Sequence, residues 1–104
     1  MKIAHRREGD TIIIALADEL GHHEARQILE YMNTVLALYP TEPVVLDLSE
    51  LKFMDSSGLA VVLNLHRSLK RAGRGFAVRG TPPQAMRVFR AANLPSIVSF
   101  ETGE

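Results

Sequence analysis

Two adjacent serines, Ser56 and Ser57, follow Asp55 and precede Gly58, between the apolar run Val44-Val45-Leu46-Asp47-Leu48 and a second apolar stretch opening at Leu59. That order reads as a buried strand, a short turn and the first residues of a helix. A hydroxyl at such a place lies beside backbone N–H groups and the positive end of a helix dipole. It suits a group that gains and loses a phosphate. The same residues also make an ordinary helix cap. Asp55 or Ser56 would accept from the first free N–H groups, Ser57 would sit in the first turn, and Gly58 would leave room for an approach to the backbone. Residue chemistry alone leaves the two readings level.

Other chemistries fit less well. A serine nucleophile needs a base and a residue to orient it. None of His5, His22, His23 and His66 belongs to a triad pattern, and the turn lacks the Gly-x-Ser-x-Gly elbow. No catalytic residue is therefore assigned, and a small serine hydrolase is the weakest reading. His22 and His23 are adjacent, so on a helix they point about 100° apart, and no third ligand accompanies them to make a metal site. Neither a P-loop nor a Gly-x-Gly-x-x-Gly is present.

The elements that must hold the turn follow from periodicity. Ile3 to Arg7 and Thr11 to Leu16 read as two strands of a hairpin around Glu8-Gly9-Asp10. From His22 to Tyr39, the residues Ala25, Ile28, Leu29, Met32, Leu36 and Tyr39 recur at helical steps, and Pro40-Thr41-Glu42-Pro43 stops them. Val44 to Leu48 is a short buried strand. Leu59 to Ala72 is a helix whose main stripe is read as Leu59, Val62, Leu63, His66 and Leu69, closed by Gly73. Gly75 to Val78 is a further core strand. Thr81-Pro82-Pro83-Gln84 has the pattern of a capping box for a helix through Ala92, with Val88 and Phe89 inward. Ile97 to Phe100 is a last strand. The order β-β-α-β-α-β-α-β predicts an α/β domain, a mixed β-sheet with helices packed against it.

With 104 residues, 46% apolar and 23% charged, the chain has the composition of one soluble globular domain. It has no cysteine, no apolar run of membrane-spanning length and no signal-peptide pattern, which fits a cytoplasmic protein away from membranes. Its formal net charge of zero gives no general reason for nucleic-acid binding. Charge is nevertheless uneven. Residues 1–51 hold four basic and nine acidic side chains, and residues 52–104 hold eight basic and three acidic. Arg67, Lys70, Arg71 and Arg74 read as complements to the C-terminal end of a helix.

The run from Val45 to Leu59, with Leu46-Asp47-Leu48-Ser49 and Phe53-Met54-Asp55-Ser56-Ser57-Gly58-Leu59 within it, resembles the anti-sigma factor antagonists of the STAS domain family. The likeness extends to Asp18-Glu19-Leu20-Gly21-His22-His23, Thr81-Pro82 and Ala92-Asn93-Leu94, and so covers nearly the whole chain. It implies a single STAS-like domain over residues 1–104, with Ser57 as phosphoacceptor and Asp55, Ser56 and Gly58 supporting the turn. Glu19, Gly21, His22 and Leu59 become candidates for partner binding.

The implied activity is partner switching in sporulation or stress response. The dephosphorylated form binds a GHKL-type serine kinase that is also an anti-sigma factor, and so releases a sigma factor. Phosphorylation ends binding, and a PP2C-type phosphatase restores it. The chain would be substrate and switch rather than enzyme, with no cofactor of its own, the ATP being used by the kinase. Its fold should barely change on phosphorylation. Two departures stand out: Gly21 replaces an aspartate associated with kinase recognition or transfer, and Ala60 replaces a common glycine. The chain closes at Glu101-Thr102-Gly103-Glu104, where many relatives continue into another helix. The alternative is a STAS interaction module outside sigma control, such as a scaffold subunit of a transport ATPase complex.

Overall fold

Alternation of buried and exposed side chains organises a five-stranded sheet whose strands lie in chain order, in a computed structural model that describes residues 2–101. Strand β1 (Ile3–Glu8) pairs antiparallel with β2 (Thr11–Leu20). Strands β3 (Val44–Met54), β4 (Phe76–Arg79) and β5 (Ser99–Glu101) then add in parallel, one after another. Helices α1 (Ala25–Leu38), α2 (Ser57–Arg71) and α3 (Pro83–Ala91) form the crossovers. The mixed sheet and the element order are those expected from the sequence. Thr102–Glu104 lie outside the described residues.

Alternate positions Ile12, Ile14, Leu16, Val44, Leu46, Leu48 and Val78 join Ile28, Met32, Val61, Leu65 and Phe89 of the helices in one core. The intervening positions face the other side of the sheet. There Arg79 bridges Asp47 (3.1 Å) and Glu8 (3.6 Å). Helix α2 buries Gly58, Val61, Val62, Leu65 and Leu69, a stripe turned from the one expected, leaving Leu59, Leu63 and His66 half-buried. Its first turns are apolar on several sides, so periodicity alone does not fix which side faces in.

Several boundaries also move. Strands β2 and β3 continue past Leu16 and Leu48 as a two-stranded ribbon, pairing Ala17 with Glu50, Glu19 with Phe53 and Leu20 with Met54. The register shifts twice on the way, and Asp18 takes a left-handed φ of 66°. The polar residues Asp18, Ser49, Glu50 and Lys52 mask this extension, although Leu20, Leu51 and Met54 within it are buried in the core. Helix α1 begins at Ala25 instead of His22, and β5 at Ser99 instead of Ile97, after a 3₁₀ turn over Leu94–Ser96.

The capping box expected at Thr81 does not form. Extended Pro82 precedes α3, no side chain caps the helix, and the buried Thr81 Oγ1 has no hydrogen-bond partner among the described residues. Arg74 is reassigned as well. Its guanidinium donates to the carbonyls of Tyr39 and Glu42, finishing the C-terminal end of α1 instead of complementing α2. Lys70 and Arg71 do occupy the last turn of α2. Among the described residues no helix is long and apolar enough to cross a membrane.

Candidate functional site

Where the β2–β3 ribbon ends, the chain turns at Asp55 into α2, and Asp55 decides which residue caps the helix. Its Oδ1 accepts from the Ser57 N–H (2.8 Å), while the Gly58 N–H donates to the Asp55 carbonyl (3.0 Å) and the Leu59 N–H to the Ser56 carbonyl (3.1 Å). Ser56 makes no side-chain cap bond. Of the two cap candidates, the structure selects Asp55. These first amides are consequently occupied within the turn, where free N–H groups were expected beside the serines.

The same carboxylate reaches a second element. Asp55 Oδ2 accepts from the His22 N–H (3.2 Å), and the Asp55 N–H donates to the Leu20 carbonyl (3.3 Å). The loop after β2 and the turn after β3 are thereby joined across 33 residues. The Ser57 amide, with the Ser57 hydroxyl and the His22 amide, holds the Asp55 carboxyl below the usual aspartate range against a smaller opposing effect of burial.

Gly21 starts the turn into α1. Its carbonyl accepts from the N–H groups of Glu24 (3.1 Å) and Ala25 (3.0 Å), and its own N–H donates to Glu24 Oε1 (3.1 Å). This is half of a reciprocal capping box, with no side chain supplied from position 21. A Cβ there would lie 3.2 Å from both Asp55 Oδ2 and Glu24 Oε1, so an aspartate would enter beside two carboxylates.

Gly58 is buried, and a Cβ on it would collide with Cγ and Sδ of the fully buried Met54. The space it leaves is filled by the protein's own core, so the expectation of room for an approaching group is corrected. Ser56 is exposed and Ser57 half-buried at the rim. Glu19 is exposed beside Phe53, a residue that is itself 47% exposed. The rings of exposed His22 and His23 stand edge to face at 5.6 Å, and among the described residues no group of three or more acidic, histidine or cysteine side chains could hold a metal ion. No histidine among the described residues hydrogen-bonds either serine; His5 pairs instead with the Tyr31 hydroxyl (2.6 Å).

Three residues take positions at the site that their sequence context does not foretell. Gln84 faces the end of β3, where its Oε1 accepts from the Met54 N–H (2.9 Å) and its Nε2 donates to the Met54 carbonyl (2.8 Å). It replaces β4, which ends opposite Asp47. No local signal marks a partner 30 residues away. Arg87 and Val88 line a cleft between α2 and α3 together with Ser56 and Leu59. Of the two residues expected inward, Phe89 is fully buried, and Val88 is partly buried against the core while also lining this cleft.

The family model described as "Mlab, STAS domain" matches residues 3–99. An anti-sigma F factor antagonist of Paenibacillus polymyxa is 30% identical over 104 residues, spanning 100% of this chain and 87% of the relative. The structure of the anti-sigma factor antagonist SpoIIAA in its unphosphorylated form superposes with a TM-score of 0.83 at 24% identity, covering 98% of this chain and 88% of that one. Bacillus SpoIIAA in its phosphorylated form gives 0.76 at 24% identity, with 98% and 91% covered.

Proposed function

The chain belongs to the STAS domain family, and from that premise we propose that it is a cytoplasmic anti-sigma factor antagonist switched by phosphorylation of Ser57. Dephosphorylated, it binds an anti-sigma factor that is also a GHKL-type serine kinase, and so sets a sigma factor free. The kinase transfers phosphate from ATP to Ser57, binding ends, and a PP2C-type phosphatase reverses the mark. The chain supplies the hydroxyl and the docking surface and performs no catalysis. Glu19, His22 and Leu59 belong to that surface.

One observation carries this reading. Asp55 caps α2, so neither serine hydroxyl is needed as the cap, although that duty was the rival explanation for them. Ser57 remains at the rim, beside a carboxylate held ionised. A phosphate adds about −1.5 to −2 charge there. The added charge is repelled by Asp55 and must be desolvated when a partner covers the turn, at a cost of several kcal/mol if unpaired. The core lies behind the turn, so binding is lost while the domain stays folded. SpoIIAA, known in unphosphorylated and phosphorylated forms, lends support from a relative of the same fold.

Incubation with the cognate kinase and ATP should add one phosphate by intact-mass measurement, and Ser57→Ala should prevent it. A phosphopeptide mapped elsewhere overturns the site. The second reading is a STAS module outside sigma control, such as a scaffold subunit of a transport ATPase complex, which membership of the matched STAS family also accommodates. Stable co-purification with a transport ATPase, unchanged by Ser57→Ala and Ser57→Asp, would favour it.

A further inference from the structure

We propose that the cleft between α2 and α3 seats a cluster of apolar side chains from the anti-sigma factor kinase, with a carboxylate of that partner paired to Arg87. The proposal rests on reading the chain as an anti-sigma factor antagonist, and it identifies a second contact beside the Ser57 turn.

The cleft has a volume of about 500 Å³ and is mostly apolar, with Leu59, Val88 and Ala91 supplying much of its wall. Gln84 also lines it, but both polar atoms of that side chain are committed to the Met54 backbone. Those two bonds hold the amide in place at the cleft wall. The volume would suit a small ligand, but Ser56, Arg87 and Ala91 are all exposed, so the cleft is an open trough on the surface. A trough of this kind fits side chains presented by another protein's face.

Charge and continuity point to which protein. Arg87 makes no ion pair among the described residues, as is also true of Arg67, Arg71, Arg74 and Arg90, but of these Arg87 is the one that lines the cleft. An arginine beside an apolar trough is the composition of an interface anchor, and it calls for an acidic group on the partner. The trough begins at Ser56, one residue before Ser57, and shares Leu59 with the first turn of α2. A protein that covers Ser57 to phosphorylate it therefore meets the trough at once.

Binding of the purified cognate kinase to the unphosphorylated protein, measured by titration calorimetry, tests this. Ala91→Glu places a charge in the trough from an exposed helix position, and Arg87→Glu reverses the anchor. Each should weaken binding at least ten-fold with an unchanged thermal melt, and Arg87→Ala should reduce the dependence of affinity on salt. If Ala91→Glu also lowers the melt, Arg87→Glu alone decides. Wild-type affinity in Arg87→Glu, alongside loss of binding in Ser57→Asp, overturns the trough as a docking site and leaves the switch at Ser57 standing. If the wild-type protein binds no kinase, the functional reading fails, and the trough proposal with it.

Discussion

Asp55 does more for the turn than either serine beside it, because its two carboxylate oxygens serve different elements. Oδ1 closes the start of α2, and Oδ2 holds the loop that leads into α1. Asp47 is held low in a comparable way. Burial alone would raise it, but hydrogen bonds from the Ser49 hydroxyl and amide, together with Arg79, outweigh that effect. Both carboxyls ionise below the ordinary aspartate value of 3.8, so between that value and their folded values the native state binds fewer protons than the unfolded chain. Their stabilisation is complete above 3.8 and is lost as the pH falls through the folded values. Thermal melts from pH 6 down to pH 2 should show Tm dropping on that acid limb, with a shallower drop in the Asp55→Asn, Asp47→Asn double variant. The Asp-Ser-Ser-Gly sequence revealed the turn, since its residue types are local cues. It did not reveal the capping residue, because Asp55 and Ser56 both carry suitable oxygens and only backbone geometry separates them. Gly58 was misread for a related reason: the atom that needs its empty space belongs to Met54, whose side-chain direction no spacing rule supplies.

Helices and strands with one apolar face were readable from their period, and the errors fall where that face is absent or too broad. The β2–β3 ribbon past Leu48 exposes Ser49, Glu50 and Lys52 and buries only Leu51 and Met54 from β3, so its apolar positions do not alternate as a strand period requires. Beyond β4, the Met54 backbone would be left with an unpaired donor and acceptor, and Gln84 satisfies both from α3. That bond pair fixes α3 against the end of the strand that delivers Ser57. Gln84→Ala should destabilise the domain by about 1–3 kcal/mol in urea unfolding. It should also slow phosphorylation of Ser57 under conditions where the variant is fully folded. The sequence placed a capping box at Thr81-Pro82-Pro83-Gln84 because those types at that spacing serve one equally well. Long-range demand on Gln84 decided otherwise.

For the molecule as a whole, the switch and the core occupy different places. Leu46, Val62, Leu65, Val78 and Phe89 are buried between the sheet and the helices, while Ser57 sits at the rim, outside that set. Ser57→Asp should therefore keep the far-ultraviolet circular dichroism of the native protein and a Tm within about 4 °C of it, while losing kinase binding. Loss of helical signal together with binding would make the switch an unfolding event and overturn this picture. The uneven charge of the two halves also finds its use at this scale. Lys52 and Arg79 from the basic half lie against Asp18, Glu8 and Asp47 of the acidic half, in partly exposed pairs worth little singly. Strand order equal to chain order has a consequence for biosynthesis. As the polypeptide leaves the ribosome, each parallel strand meets an edge already laid down, and no early strand waits for a late one to be inserted beside it. The Asp55 clasp can close once α2 has emerged, and Gln84, thirty residues behind Met54, latches the end of β3 before β5 arrives to complete the sheet.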